Sequence, residues 1–196
     1  MKKPIVVFDV DGVITDSWTQ KINIAKTILK DAWLFYLPWV YDILKLGINR
    51  KTLVERIYEL HPIFNPQKLL ESLNAWLHVL EKDIKIISES YDFITQYHHQ
   101  YDFFTNTSTS KQKLLRIFQR HHLQQFFVEL LAYEDGTKRE NIEYILNTYH
   151  CLRNNLLFID DMQHNLDMVT WTWVHTLLFS RDWIRLEEKI QYIFWK

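Results

Sequence analysis

Short apolar segments of strand type recur along the chain, and longer stretches with a helical pattern separate them. The clearest segments are residues 5–10, 101–106 and 155–160, and weaker ones are residues 127–133 and 174–179. Parallel strands are buried on both faces, and they need long crossover connections that are usually helices. The alternation therefore predicts an α/β protein built on a Rossmann-like parallel sheet.

The connection between the first and the second segment is far longer than a crossover requires. It holds about ninety residues, of which residues 17–83 have a helical pattern throughout. Because one helix is enough to join two parallel strands, the surplus predicts an inserted subdomain. We expect an α/β core domain made of residues 1–16 and 84–196, and a helical domain of residues 17–83 that covers the strand ends.

Composition narrows the classes of protein that the chain can belong to. Apolar residues make up 47% of the chain, charged residues 24%, and the net charge is -1, which is typical of a globular protein and disfavours a nucleic acid polymer as partner. The most apolar stretch, residues 32–48, contains Pro38, Asp42 and Lys45 and is too short to span a membrane, so no membrane partner is expected. A lone cysteine, Cys151, favours a reducing, cytoplasmic setting.

Acidic side chains gather where the first apolar segment ends. Asp9 and Asp11 are two residues apart, so in an extended chain both carboxylates point the same way. They repel each other unless a proton or a cation lies between them. One interpretation is a turn at Asp11-Gly12 with Asp9 as a helix cap, and the other is an oxygen-ligand site for magnesium in which one carboxylate is also a nucleophile.

Four stretches, taken in order, resemble the motifs of the haloacid dehalogenase superfamily, most of whose members are phosphatases. They are "FDVDGVITD" from Phe8, "FFTNTS" with Thr105 and Asn106, "EDGTKRENIEYIL" with Lys138, and "LLFIDDMQHNLDMV" with Asp160, Asp161 and Asn165. In this family a helical cap is also inserted between the first and second motifs. The resemblance thus implies a HAD-like core with a cap, and it departs from the usual pattern at Asp160 and Asn165, where Gly and Asp are common.

The resemblance also implies a role for each motif residue. Asp9 would be the nucleophile and Asp11 the general acid and base, while Mg²⁺ would be held by Asp9, the main-chain carbonyl of Asp11 and Asp161. Thr105, Asn106 and Lys138 would bind the substrate phosphate, with Thr105 and Lys138 also acting in catalysis. Asp160 and Asn165 are further candidates for the metal site.

Each of the later motif residues also has a structural interpretation. Thr105 and Asn106 can form a turn after a strand, and Lys138 can be a solvated lysine in a first helical turn, although the helix dipole disfavours a cation there. Asp160 and Asp161 can cap a helix, and Asn165 can be an exposed helix residue.

The function expected from the motifs is a magnesium-dependent phosphatase that hydrolyses a small phosphorylated metabolite through an aspartyl-phosphate. Asp11 favours phosphoryl transfer over dehalogenation, because dehalogenases of this family usually lack an aspartate there. A mononucleotide phosphatase and a non-catalytic binding protein on the same fold remain alternatives. The sequence does not distinguish a monomer from a homodimer.

Overall fold

A computed structural model describes residues 2–31, 50–60, 62, 65–80, 84–180 and 185–195. The chain divides into two compact units, one made of residues 1–16 and 85–196 and the other of residues 17–84. The apolar stretch 32–48 lies outside the described residues. No helix in the described ranges is both long and apolar enough to cross a membrane.

The larger unit contains a parallel sheet of five strands in the order β3-β2-β1-β4-β5. The strands are β1 (Ile5–Phe8), β2 (Asp102–Asn106), β3 (Phe127–Leu131), β4 (Leu156–Asp160) and β5 (His175–Leu178). All five predicted segments are thus strands, and the α/β prediction is confirmed. Every residue of β1 and β4 is buried, as expected for central strands covered on both faces.

The unit of residues 17–84 is helical in the part that is described. Its helices are α1 (Ser17–Asp31), α2 (Arg50–Leu60) and α3 (Pro66–Leu80), and α3 packs against both of the others. Asn65 caps the start of α3, because its Oδ1 accepts a hydrogen bond of 3.1 Å from the Lys68 N–H, and Pro66 is the first helical residue.

Five helices flank the sheet in the described part of the larger unit. They are α4 (Ser88–Tyr97), α5 (Lys111–Arg120), α6 (Lys138–Thr148), α7 (Gln163–Val169) and α8 (Leu186–Phe194). The side chains of Phe8 in β1, Phe103 in β2 and Phe118 in α5 are fully buried. Aromatic rings meet edge to face in this core, as between Phe8 and Phe103 at 5.6 Å.

The strand order places the chain reversal beside β1. From β1 the chain passes to β2 and β3 on one side, and it then returns to β4 on the other side. In open parallel sheets, ligands bind at the carboxyl ends of the strands at such a reversal. Phe8, the last residue of β1, pairs with Thr105 of β2 and Ile159 of β4, so the residues that follow these strands meet at one edge.

The loop after β1 is held closely by backbone hydrogen bonds. The Val10 carbonyl accepts from the N–H groups of Ile14 and Thr15 at 3.0 and 2.8 Å, which ends the strand earlier than the predicted residue 10. Asp16 directly precedes α1, and its N–H donates to the Lys85 carbonyl at 2.8 Å. The residues at which the chain enters and leaves the helical unit therefore lie side by side.

Candidate active site

Three aspartates meet at the carboxyl ends of β1 and β4. Asp9 follows β1, Asp160 ends β4, and Asp161 comes next; one carboxylate oxygen from each lies within 4.8 Å of the others. The pairing of the strands fixes this arrangement, since the Asp9 N–H donates to the Ile159 carbonyl at 2.8 Å. Asp9 is only 5% exposed and Asp160 is fully buried, so their charges need compensation inside the protein.

Lys138 supplies a positive charge to this cluster. Its Nζ donates to Asp9 Oδ1 at 2.7 Å, to Asp160 Oδ2 at 2.5 Å and to the Asn106 carbonyl at 3.3 Å. The lysine is the first residue of α6, as predicted, and it is buried rather than solvated. The helix dipole disfavours a cation at this end, and two carboxylates within hydrogen-bond distance offset that cost.

A capping box fixes the start of α6 and hence the position of Lys138. Thr137 Oγ1 accepts from the Glu140 N–H at 3.3 Å, and Glu140 Oε2 accepts from the Thr137 N–H at 2.8 Å. These bonds satisfy two main-chain donors that a helix start would otherwise leave open.

The protonation of the cluster reflects an excess of negative charge. Burial raises the pKa of Asp9 to about 7, although the charge of Lys138 lowers it, and the charge of Asp160 adds to the rise. Burial alone would lower the pKa of Lys138, but the charges of Asp9 and Asp160 outweigh burial and raise it. Lys138 therefore stays charged, while Asp9 readily binds a proton or a cation.

Asp161 lies against the loop after β1. Burial raises its pKa to about 6, and the neighbouring charge of Asp160 contributes to the rise. Gly12 has a positive φ of 100°, and a Cβ at this position would lie 2.1 Å from Asp161 Oδ2. Only glycine therefore lets the loop pass this close to the carboxylate.

The donor set of the cluster fits a hard divalent cation. Three carboxylates face one lysine, and burial together with the neighbouring carboxylate of Asp160 raises the pKa values of Asp9 and Asp161. Carboxylate oxygens are the ligands that magnesium prefers. Asp9 and Asp161 are the residues that could supply them.

Asp160 and Asn165 have contacts that differ from those of an open metal ligand. Asp160 Oδ2 accepts from Lys138, while Oδ1 accepts from the Met162 N–H and from Asn165 Nδ2, both at 2.9 Å. Both carboxylate oxygens of Asp160 thus already accept hydrogen bonds. The Asn165 side chain donates one of these bonds and is not simply an exposed helix residue. These contacts suit a pair that fixes Lys138 better than a pair that binds metal.

The two residues expected to bind phosphate at the end of β2 are both fully buried. The Thr105 hydroxyl donates to the Leu131 carbonyl at 3.0 Å. The Asn106 amide donates to the Lys138 carbonyl at 2.8 Å and accepts from Asn141 Nδ2 at 3.0 Å. Asn106 therefore braces the start of α6 with its side chain and contacts Lys138 Nζ with its carbonyl.

Asp11 lies outside the group of three aspartates, and hydroxyl groups contact its carboxylate. Thr15 Oγ1 donates to Oδ1 at 3.3 Å, and Thr109 Oγ1 donates to Oδ2 at 3.0 Å. Sequence reasoning missed Thr15, Thr109 and Asn141 as members of the site. The signal available for Thr109 was the run "TNTSTS" that begins at the end of β2, in which every second residue is a threonine.

The chain resembles known proteins in sequence and in fold. The model of the family described as haloacid dehalogenase-like hydrolase matches residues 6–175. A hydrolase from Streptococcus pneumoniae superposes with a TM-score of 0.71 at 17% identity, over 98% of this chain and 99% of that one. No curated protein is significantly similar in sequence.

Two further solved structures share the fold. The HAD protein YfnB from Bacillus subtilis, bound to magnesium, gives a TM-score of 0.67 at 16% identity, over 99% of both chains. A predicted phosphoglycolate phosphatase from Haemophilus somnus gives 0.69 at 12% identity, over 90% of this chain and 84% of that one. At these identities the structural matches establish the fold alone.

Proposed function

This chain belongs to the haloacid dehalogenase-like hydrolase family, whose model spans most of its length, and we propose that it is a magnesium-dependent phosphatase acting on a small phosphorylated metabolite. The observation that carries the proposal is the buried contact of Lys138 with Asp9 and Asp160. Asp161 lies beside these carboxylates, and Asp11 follows Asp9 by two residues in the sequence. Buried carboxylates with strongly perturbed pKa values beside a lysine are typical of catalytic sites.

Asp9 is the proposed nucleophile. Its carboxylate attacks phosphorus, the bond between phosphorus and the alcohol oxygen breaks, and an aspartyl-phosphate forms. Lys138 supports this step in two ways: its hydrogen bond to Asp9 Oδ1 orients the carboxylate, and its charge stabilises the ionised form.

Asp11 is the proposed general acid and base. It gives a proton to the leaving alcohol in the first step and takes a proton from water in the second. That water attacks phosphorus, which releases inorganic phosphate and restores the Asp9 carboxylate. Asp11 ends each turnover in the protonation state in which it began, so the two steps balance.

Magnesium would be held by the carboxylates of Asp9 and Asp161 and by the main-chain carbonyl of Asp11. When bound, it would neutralise charge on the phosphoryl oxygens, which otherwise repel the nucleophile. The magnesium-bound relative from Bacillus subtilis supports this choice of ion. Asp160 and Asn165 serve the site by fixing Lys138.

The phosphoryl oxygens that are not transferred would be bound by Lys138 and by the threonine at the end of β2. The Thr105 hydroxyl would have to release the Leu131 carbonyl to donate to phosphate. The helical unit of residues 17–84 is the proposed cap, and its side chains would select the substrate. A small phosphorylated acid, as in the name of the relative from Haemophilus somnus, is a reasonable first candidate.

Activity on a panel of phosphomonoesters, measured with and without Mg²⁺, tests the proposal. The panel should include 2-phosphoglycolate, sugar phosphates and nucleoside monophosphates, which also separates a metabolite phosphatase from a nucleotidase. We expect Mg²⁺-dependent release of phosphate that Asp9→Asn lowers by about 1,000-fold or more. Absence of activity on the whole panel, together with no Mg²⁺ binding by calorimetry, would favour a non-catalytic protein.

A further inference from the structure

Thr109 makes a contact with Asp11 that the proposed chemistry has not used. Its hydroxyl donates to Asp11 Oδ2 at 3.0 Å across a separation of 98 residues. Thr109 is only 7% exposed, so water competes little for its hydroxyl. The hydrogen bond therefore restricts the rotation of the Asp11 carboxyl group.

The main chain of Thr109 is fixed independently of Asp11. Its N–H donates to Thr107 Oγ1 at 3.2 Å, and its carbonyl accepts from the Tyr133 N–H at 3.1 Å. Thr107 is itself buried, and its N–H donates to the Leu131 carbonyl of β3 at 3.4 Å. The Thr109 hydroxyl is thus presented to Asp11 by a loop anchored to β3.

The second hydroxyl at Asp11 constrains it less. Thr15 Oγ1 lies 3.3 Å from Asp11 Oδ1 and 3.2 Å from the Val10 carbonyl, so one hydrogen is shared between two acceptors. Thr15 also lies only four residues from Asp11, on the same loop. Thr109 ties Asp11 to a different part of the sheet.

We propose that Thr109 is a positioning residue that holds the carboxyl group of Asp11 for proton transfer to the leaving alcohol. The inference rests on the proposed phosphatase function. Proton transfer requires hydrogen-bond reach between the acid and the leaving oxygen, and small misplacements are costly. Thr109 would therefore affect the reaction only through Asp11.

The dependence of the rate on the leaving group distinguishes this role from a structural one. An alkyl phosphate needs a proton on its leaving oxygen, whereas 2,4-dinitrophenyl phosphate releases a stable anion. With Mg²⁺ present, kcat/KM reports the first phosphoryl transfer. For Thr109→Val we expect a loss of about 10- to 100-fold on an alkyl phosphate, a part of what a general acid contributes, and little loss on the dinitrophenyl ester.

Matched variants complete the test. Thr109→Ser keeps a hydroxyl and should retain the activity of the unchanged protein on both esters. In an Asp11→Asn background, Thr109→Val should cost nothing further on the alkyl ester, because the group that it positions is gone. Melting temperatures measured alongside identify a loss of folding.

Three outcomes would contradict the inference. Equal losses on both esters would make Thr109 structural, no loss on the alkyl ester would make the contact irrelevant, and an additive loss in the Asp11→Asn background would place its action elsewhere. If the unchanged protein hydrolyses neither ester, the proposed function fails and the inference fails with it. If the unchanged protein hydrolyses both esters and Thr109→Val slows both equally, the inference fails while the proposed function stands.

Discussion

Asp9 and Asp161 are carboxyl groups held largely out of water, and burial is the main reason that the pKa values of both are raised. Lys138 contacts Asp9 and Asp160, but Asp161 is half-buried beside them with no hydrogen bond to a lysine or arginine among the described residues. The excess negative charge therefore destabilises the metal-free protein, and a bound cation would relieve this destabilisation.

The pH dependence of stability tests this interpretation of Asp161. The pKa of Asp161 is about 6 in the folded protein and 3.8 for an aspartate free in water, so the unfolded chain loses the proton first as pH rises. Between these values, raising the pH favours unfolding, and the full destabilisation is present above about pH 6. We expect Asp161→Asn to raise the free energy of unfolding of the metal-free protein at pH 8 by on the order of 1 kcal/mol, with little effect at pH 4.

Addition of Mg²⁺ should make the unchanged protein more stable than Asp161→Asn at pH 8. The unchanged protein should gain melting temperature with Mg²⁺ at pH 8, and Asp161→Asn should gain little because a ligand is missing. Asp167→Asn, on the exposed face of α7, is the matched control and should behave as the unchanged protein. An equal Mg²⁺ effect in Asp161→Asn would remove Asp161 from the metal site.

At the scale of the element, α6 matters because its first residue is Lys138. Thr137→Ala removes one half of the capping box and should lower the free energy of unfolding by about 1 kcal/mol. Because Lys138 then sits on a less ordered first turn, we also expect a several-fold loss in kcat/KM. Thr95→Ala, at a half-buried threonine of α4 whose hydroxyl donates to carbonyls of its own helix, should change neither quantity. A loss of stability with unchanged kcat/KM would show that the cap does not position Lys138.

The elements also show what the sequence could predict. All five strands and the start of α6 follow from local signals: apolar runs for the strands, and a threonine three residues before a glutamate for the helix. The end of β1 was predicted two residues too late because Asp9 and Val10 continue an extended pattern, whereas hydrogen bonds from Ile14 and Thr15 to Val10 turn the chain.

The contacts that were not predicted are those made across long separations. The amide of Asn106 is used by Lys138 and Asn141, more than thirty residues away, and nothing near Asn106 in sequence reveals this. Thr109 and Asp11 are 98 residues apart and meet only because β1 and β2 are neighbours in the sheet. The motifs indicated which residue types form the site. They did not indicate which of these side chains hydrogen-bond to one another.

For the whole molecule, the division into two units predicts that they can be separated. Thr15 and Ile86 form an antiparallel bridge, and the Asp16 N–H donates to the Lys85 carbonyl, so the ends of residues 17–84 are adjacent. Replacing residues 17–84 by a short Gly-Ser linker should leave a folded core that Mg²⁺ still stabilises, because Asp9, Lys138 and Asp161 all belong to that core. Circular dichroism and thermal unfolding check this.

The same shortened protein tests the proposed cap. We expect it to retain weak hydrolysis of a small aryl phosphate and to lose its preference among metabolites, since the residues proposed to select them are gone. An unfolded product would show that the larger unit needs the helical unit for stability, and an unchanged preference would show that selectivity resides in the core.

The central claim is that Asp9 carries the phosphoryl group during turnover. Borohydride reduction of the protein during steady-state hydrolysis converts an aspartyl-phosphate to homoserine, which peptide mass spectrometry locates. The account predicts homoserine at position 9, dependent on both substrate and Mg²⁺, with Asp11 unchanged. Turnover with an unmodified Asp9, or modification of a different residue, would contradict it.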